Sequence, residues 1–130
     1  MTFSLGPVGQ IALGVADADR SQAFYGDTLG LRRLFRFGGL VFFDCGGLRL
    51  LLEQSSADGE ARKAGSPIYF RVADILLARR ELAARGVVFS DEIHLVAPMD
   101  DHDLWMTFFT DPEAHILALM MEAPKGWRPG

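Results

Sequence analysis

The amino-acid sequence predicts an α+β fold in which two β-α-β-β-β modules form a curved mixed sheet around a central cleft. The first observation is a repeat: residues 11–17 (IALGVAD) resemble residues 68–74 (IYFRVAD), and the two Val-Ala-Asp triplets are 57 positions apart. The second is that a helical stretch follows each triplet and ends at a glycine, Gly30 in the first copy and Gly86 in the second. A repeat of this length indicates two copies of one supersecondary unit, so we expect a functional site between the copies.

The first module begins with a predicted strand over residues 8–16, which alternate and are partly β-branched. Asp17 is the expected N-cap of the following helix, and Gly30 is expected to end it. Two glycine pairs, Gly38-Gly39 and Gly46-Gly47, suit tight turns between short strands. The three strands that these pairs separate are predicted over residues 34–37, 40–44 and 48–53.

The second module repeats this order of elements. A strand is predicted over 68–73, Asp74 is the expected N-cap, and an Ala-, Leu- and Arg-rich helix should cover 75–85 before Gly86. The final residues, 123–130, are predicted to be loose. The remaining strands are predicted over residues 87–97, 104–110 and 115–121, with turns at 98–101 and 111–114 and with His115 exposed to solvent.

The whole chain of 130 residues is predicted to be a single domain. Module one should occupy about residues 8–54, a polar exposed linker about 55–66, and module two about 67–122. Modules of this size are marginal alone, so we expect them to pack against each other within one chain or between two chains.

Composition excludes several classes of function. The net charge of −4 argues against a nucleic-acid partner, which normally requires a basic surface. The chain lacks an apolar run of membrane-spanning length and a signal-like N-terminus, so we expect a cytoplasmic protein without a membrane partner. The single Cys45 cannot form an internal disulfide, and it lacks a basic neighbour in sequence that would activate it.

Three segments resemble one known family. They are residues 10–17 (QIALGVAD), 24–31 (FYGDTLGL) and 108–115 (FFTDPEAH). Together they resemble the vicinal oxygen chelate superfamily, which includes glyoxalase I, extradiol dioxygenases, methylmalonyl-CoA epimerase, and fosfomycin- and bleomycin-resistance proteins. The resemblance covers about residues 8–121 and implies a glyoxalase-like fold, but it does not select one reaction because one fold hosts many chemistries.

The resemblance also implies where a metal would bind. Metal enzymes of this superfamily take ligands from the first residue of each opening strand, usually His or Gln, and from each last strand, usually Glu. The matching positions here are Gln10, Leu51, Pro67 and Ala118. Leu, Pro and Ala side chains have no donor atom, and one Gln cannot hold a divalent ion alone. We therefore predict no metal ligands and no cofactor, and we keep a divalent metal as the alternative because Glu53 lies on the same strand face as Leu51.

Strand alternation predicts which side chains face the cleft. The lining should be apolar and small, with a few polar groups that orient a ligand. His102 lies in a turn rich in Asp and is predicted to be a lid group over the cleft, in preference to a metal ligand. The predicted ligand-binding residues are Gln10, Arg49, Tyr69, Arg71, His102, Trp105, Ala118 and Met120.

The charge of Arg71 has two interpretations. Its guanidinium can bind a ligand carboxylate or phosphate. We favour instead an ion pair with Glu53 across the cleft, because charges that face a cavity are normally paired.

Three functions compete at this point. The first is a glyoxalase/bleomycin-resistance-like protein that binds a small molecule in an apolar cleft without the usual divalent metal. The second is a metal-dependent lyase, isomerase or dioxygenase with a rearranged site built from Gln10, Glu53 and His102. The third is a metal-free enzyme in which Tyr69 acts as acid, Arg71 as anion clamp and Glu53 as base, so that Tyr69 and Glu53 are the candidate catalytic residues. We expect a small-molecule ligand and a homodimer, and we leave open whether the chain is an enzyme.

Overall fold

The protein is described by a computed structural model, which covers Phe3, residues 7–55 and residues 65–130. The chain divides into two compact units, Met1–Lys63 and Ala64–Gly130. Each unit contains one four-stranded mixed sheet, and the predicted α+β class with β-α-β-β-β modules is confirmed. Most of the predicted linker at 55–66 lies outside the described residues.

In the first unit, a strand, a helix and three further strands follow one another. Its elements are β1 (Gln10–Val15), α1 (Ala18–Ala23), a π-helical turn (Phe24–Thr28), β2 (Arg32–Phe37), β3 (Leu40–Cys45) and β4 (Leu48–Gln54). The Asp17 side chain accepts a hydrogen bond from the Arg20 amide at 3.1 Å, so it caps α1 as predicted. The strand order is β1-β4-β3-β2, and β1 runs parallel to β4.

The core of the first unit lies between its helical segment and one face of its sheet. Tyr25 of the π-helical turn is fully buried, and its ring lies 6.3 Å from the ring of Phe43 on β3. Residues at alternate positions of the neighbouring strands are buried with it, because side chains on a strand point to opposite faces in turn. These residues are Val15, Val41, Leu50 and Leu52.

The second unit has the same order of elements. They are β5 (Ile68–Arg71), α2 (Ile75–Ala84), β6 (His94–Pro98), β7 (Asp103–Thr110) and β8 (Ile116–Ala123). The Asp74 side chain accepts from the Leu77 amide at 3.1 Å, and Gly86 adopts φ +95°, so the cap and the stop of α2 are confirmed. The strand order is β5-β8-β7-β6, with β5 parallel to β8.

The strand predicted over 87–97 is shorter than expected, because it starts at His94. Phe89 forms an isolated bridge with Phe109. The Asp91 carboxylate accepts hydrogen bonds from the Phe108 amide at 2.9 Å and the Thr107 hydroxyl at 3.0 Å. The Asp91 side chain therefore takes the hydrogen bond of a β7 amide that the backbone of a neighbouring strand would otherwise accept. This ends the pairing between β6 and β7 at that point.

The C-terminal tail is anchored, so the prediction that residues 123–130 are loose is wrong. Lys125 Nζ donates to Asp103 Oδ1 at 2.9 Å and to the Met99 carbonyl at 2.7 Å, and the Gly126 amide donates to Asp103 Oδ2 at 3.1 Å. The Trp127 ring packs edge-on against Trp105 at 5.3 Å. The sequence did not predict these contacts, because they join residues more than 20 positions apart.

His115 also differs from its prediction, because it is buried and precedes β8. Its Nδ1 lies 2.7 Å from Asp111 Oδ2, and its backbone amide donates to Asp111 Oδ1. The Asp-Pro-Glu-Ala turn is thus closed around a buried Asp–His pair.

Helix length bears on membrane insertion. The longest helix in the described ranges is α2, whose ten residues measure about 15 Å. That is roughly half the hydrocarbon thickness of a bilayer. Across the described parts of the chain, the structure contains no helix that is long and apolar enough to span a membrane.

Candidate functional site

One face of each sheet packs on its unit's helix, and we call the opposite face the open face. On the second unit's open face, Tyr69 and Arg71 of β5 are exposed while their strand neighbours Ile68 and Phe70 are half-buried. The strand pairings add residues from the other three strands to this face. They are Ala118, Met120 and Glu122 of β8, Leu104, Met106 and Phe108 of β7, and His94 of β6.

A small residue, Ala118, lies at the centre of this open face. It pairs with Tyr69 on one side and with Phe108 on the other. Strands are spaced about 4.8 Å apart, so the backbones of Tyr69 and Phe108 are separated by two such steps. Their rings nevertheless meet edge to face, with centroids 5.9 Å apart, because the methyl group of Ala118 leaves the space between them.

The His94 ring extends this aromatic cluster. It lies nearly parallel to the Phe108 ring at 6.2 Å. Its Nδ1 is 2.9 Å from the Glu92 carbonyl and 3.6 Å from Asp91 Oδ2, which orients the ring. Tyr69, Phe108 and His94 therefore form a row of three rings across the sheet, and we call this row the ring cluster.

Arg71 lies beside the ring cluster and carries the positive charge of this face. Its Nη2 donates to Glu122 Oε2 at 3.4 Å, with the two side chains 69% and 41% exposed. From the sequence we predicted Glu53 as the ion-pair partner of Arg71, and Glu122 was not predicted. Alternation along β8 could have found it, because Glu122 lies two residues after Met120 and therefore on the same face. An exposed pair of this kind contributes about 0–1 kcal/mol, so the guanidinium is held weakly.

On the first unit's open face, the predicted polar residues lie at opposite ends. Gln10 pairs with Arg49 at the start of β1, whereas Glu53 pairs with Gly14 near its end. Four residues along a strand separate Gln10 from Glu53 in this register, which corresponds to about 13 Å. Leu51 is buried between them, so the register does not bring Gln10 and Glu53 together.

The residues at the superfamily's ligand positions do not fit a divalent ion. Leu51 and Ala118 are hydrocarbon side chains directly on the open faces, and Pro67 immediately precedes β5. Gln10 remains as a single neutral donor, and divalent ions require several ligands. Among the residues that the structure describes, no group of three or more His, Cys, Asp and Glu side chains is placed to hold a metal.

Two predicted binding residues lie away from the ring cluster. Trp105 faces the other side of its sheet, is 6% exposed, and contacts Trp127 of the tail. His102 lies in the turn between β6 and β7, where its Nδ1 is 2.7 Å from Asp101 Oδ1. This bond lowers the pKa of the Asp101 carboxyl. The structure brings together Tyr69, Arg71, Ala118 and Met120. It leaves Trp105 and His102 outside that group, and Gln10 and Arg49 belong to the sheet of the first unit.

Cys45 ends β3 and is half-buried. Burial, followed by the neighbouring Asp44 carboxylate, raises the pKa of its thiol. A raised pKa favours the unreactive thiol form, so this residue does not have the properties of a nucleophile.

The two open faces share one register but differ in chemistry. The pair Ala12–Leu51 in the first unit occupies the place of Tyr69–Ala118 in the second. In this pair, the opening strand of the second unit carries the aromatic ring of Tyr69, whereas the opening strand of the first unit carries the methyl group of Ala12. The first unit has its own aromatic pair on other strands: the rings of Phe35 on β2 and Phe42 on β3 stack with centroids 4.4 Å apart.

The sequence has a clear relationship to one family. A sequence model of the Glyoxalase/Bleomycin resistance protein/Dioxygenase superfamily matches residues 8–119. Among curated proteins, none matches this chain.

Solved structures show the same fold at low sequence identity. An integron cassette protein from the mobile metagenome of V. cholerae has a TM-score of 0.77 and 16% identity, with 95% of this chain and 100% of that chain covered. A superfamily member from Sphaerobacter thermophilus has a TM-score of 0.75 and 24% identity over 91% and 98% of the two chains. A structure of lactoylglutathione lyase from Agrobacterium tumefaciens has a TM-score of 0.72 and 22% identity over 96% and 100%. At these identities the likeness establishes the fold alone.

Proposed function

Because the chain belongs to the Glyoxalase/Bleomycin resistance protein/Dioxygenase superfamily, we propose that it binds a small molecule on the open face of its second unit without the usual divalent metal. The observation that carries this proposal is Ala118. At the position where the superfamily's metal enzymes use a glutamate, this chain has a methyl group over which Tyr69 and Phe108 meet. The residue at this position is here part of an aromatic surface.

The composition of this surface supports ligand binding. Small-molecule sites are mostly apolar, with a small number of polar groups that orient the ligand. The open face of the second unit has this makeup, with aromatic rings and methionines beside the ion pair of Arg71 and Glu122. Tyr69 is 44% exposed, and an accessible large ring is a frequent anchor for a binding partner.

Metal content and thermal stability test the metal-free part of the proposal. The untagged chain, purified without chelator, is assayed for bound metal and then melted with and without Mn, Fe(II), Ni, Co and Zn. We expect metal well below one ion per chain and unchanged melting temperatures. Near-stoichiometric metal, or a stabilisation lost in Glu53→Ala but kept in the helix-surface control Glu81→Ala, contradicts the proposal and favours a lyase, isomerase or dioxygenase with a rearranged site.

A ligand screen tests the binding part. A library of small metabolites is tested by thermal shift on the wild type and on Tyr69→Ala. We expect hits whose stabilisation is lost in Tyr69→Ala, because the ring cluster is the proposed contact surface. Hits that stabilise both proteins equally contradict the location of the site.

A further inference from the structure

Resting on the proposed function, we infer that the ligand class is an aryl carboxylate, with its ring on the ring cluster and its carboxylate on Arg71. The ring cluster supplies the first half of this inference. Tyr69, Phe108 and His94 present three neighbouring rings, of which Tyr69 and His94 have much of their side chains exposed. Planar rings pack on such a surface in stacked or edge-to-face geometry.

Arg71 supplies the second half. A guanidinium has five N–H donors, and in the described part of the chain Arg71 uses one of them, on Glu122. Its side chain is 69% exposed, against 41% for Glu122. The cation is thus the more accessible member of the pair, which favours an anionic group on the ligand over a cationic one.

The spacing of these two groups limits the length of the ligand. Tyr69 and Arg71 are alternate residues of β5, so their Cα atoms are about 7 Å apart on one face. A ring at Tyr69 and a carboxylate at Arg71 therefore need a short spacer. A two-carbon spacer, as in 3-phenylpropanoate, spans this separation better than the directly attached carboxylate of benzoate.

Glu122 and the methionines set further selectivity. Glu122 leaves the Arg71 site without excess positive charge, so a carboxylate monoanion is favoured over a phosphate dianion, which Glu122 repels. Met106 and Met120 lie between the arginine and the edge of the face, and their flexible thioethers adapt to ring substituents. The first unit has Ala12 and Gly14 at the places of Tyr69 and Arg71, so its opening strand does not repeat this pairing of a ring with a guanidinium, and we expect one aryl carboxylate per chain.

Calorimetric titration of the full chain tests this inference with matched probes. 3-Phenylpropanoate is compared with benzoate, 3-cyclohexylpropanoate, 3-phenylpropan-1-ol, 3-phenylpropylammonium and 2-phenylethyl phosphate. We expect 3-phenylpropanoate to bind tightest, with about tenfold losses for the alcohol and the cyclohexyl analogue, because each removes one of the two recognised groups.

Variants assign these losses to residues. Arg71→Gln should weaken 3-phenylpropanoate about tenfold and leave the alcohol unchanged, whereas Tyr69→Leu should weaken both. Glu122→Gln should tighten 3-phenylpropanoate, because the competing negative charge is removed. Arg80→Gln, on the exposed surface of α2, is the matched control and should change nothing.

Results that contradict the aryl carboxylate can be distinguished from results that contradict the proposed function. Equal effects of Arg71→Gln and Arg80→Gln, tighter binding of the ammonium or phosphate probe, or no binding of 3-phenylpropanoate would overturn the aryl carboxylate assignment. The proposed function then stands or falls separately, since it requires a screened ligand whose binding depends on Tyr69, whatever the ligand's charge.

Discussion

Single side chains determine the chemistry of the open face on the second unit. Ala118 is fully buried on the central strand β8, and its methyl group allows the Tyr69–Phe108 contact. A larger side chain there would enter the space where the two rings meet. A larger side chain at an exposed strand position would instead extend into solvent.

The first prediction concerns the size of residue 118. Ala118→Leu should lower the free energy of unfolding by about 1–3 kcal/mol, because extra methylenes in a packed site force neighbouring rings out of position. The matched change Ala12→Leu, at an exposed position of β1, should alter it by less than about 0.5 kcal/mol. Urea denaturation measures both, and equal effects would show that Ala118 does not separate the rings.

Asp103 is a second side chain with a defined role, because its carboxylate holds the C-terminal tail. The Lys125 ammonium, followed by the Gly126 amide, lowers the pKa of its carboxyl. These are the groups that anchor the C-terminal tail to β7. The anchor is therefore linked to the protonation of one carboxylate.

The second prediction follows from the sign of that linkage. A carboxyl whose pKa is lowered in the folded state stabilises that state above its unfolded pKa, about 3.9 for Asp, and loses this effect as pH falls through the folded value. The stability difference between wild type and Asp103→Asn should be constant above about pH 5 and shrink below pH 4. Chemical denaturation across pH measures it. A difference that persists undiminished into strong acid would show that the carboxylate charge does not anchor the tail.

At the scale of elements, the turn between β7 and β8 combines strain with a strong anchor. Ala114 adopts φ +70°, a left-handed conformation that favours glycine. The Asp111 carboxylate holds it there by accepting from the amides of Glu113 and His115, each at 2.9 Å. These hydrogen bonds fix the backbone of the turn. They can therefore keep Ala114 at a positive φ, which is unfavourable for a residue with a Cβ atom.

The third prediction tests this strain. Ala114→Gly should raise the free energy of unfolding by about 1 kcal/mol, because glycine adopts positive φ without the steric cost of a Cβ atom. Ala83→Gly, in helix α2, is the control and should lower it by about 1 kcal/mol. Thermal unfolding of both variants gives the comparison. Destabilisation by both changes would mean that the turn stores no strain.

At the scale of the whole molecule, both sheets end in strands with exposed apolar side chains. Phe37 on the edge strand β2 is 75% exposed, and Val96 on the edge strand β6 is 47% exposed. Edge strands with such exposed apolar side chains favour association with another chain. This is consistent with the homodimer expected from the superfamily resemblance.

The fourth prediction is therefore a dimer in solution. Sedimentation equilibrium should give about 29 kDa, twice the chain mass of 14.3 kDa. The melting temperature should rise with protein concentration, because association stabilises the folded state by mass action. Phe37→Lys tests the β2 edge and Val96→Lys the β6 edge. A mass near that of one chain at every concentration would rule out the dimer.

Short-range signals in the sequence determined the order of the helices and strands. Alternating apolar residues, the caps Asp17 and Asp74, and the glycines at 30 and 86 act over a few residues each, so the order of elements could be predicted without knowing how strands pair. The superfamily resemblance marked Leu51, Pro67 and Ala118 as positions of metal ligands, and their residue types predicted that the usual metal site is absent, because these side chains have no donor atom.

Tertiary structure alone decided which residues meet. Arg71 pairs with Glu122, 51 positions later, and Asp91 caps the Phe108 amide 17 positions later, because β5 lies beside β8 and residues 90–91 lie against β7. The contact of Tyr69 with Phe108 depends on the same strand order and on the register of three strands. Register is a property of hydrogen bonding between distant segments, and a shift of one residue turns every side chain to the other face. For that reason the sequence identified Tyr69 and Arg71 individually, and the sheet determined that they stand beside a ring cluster and Glu122.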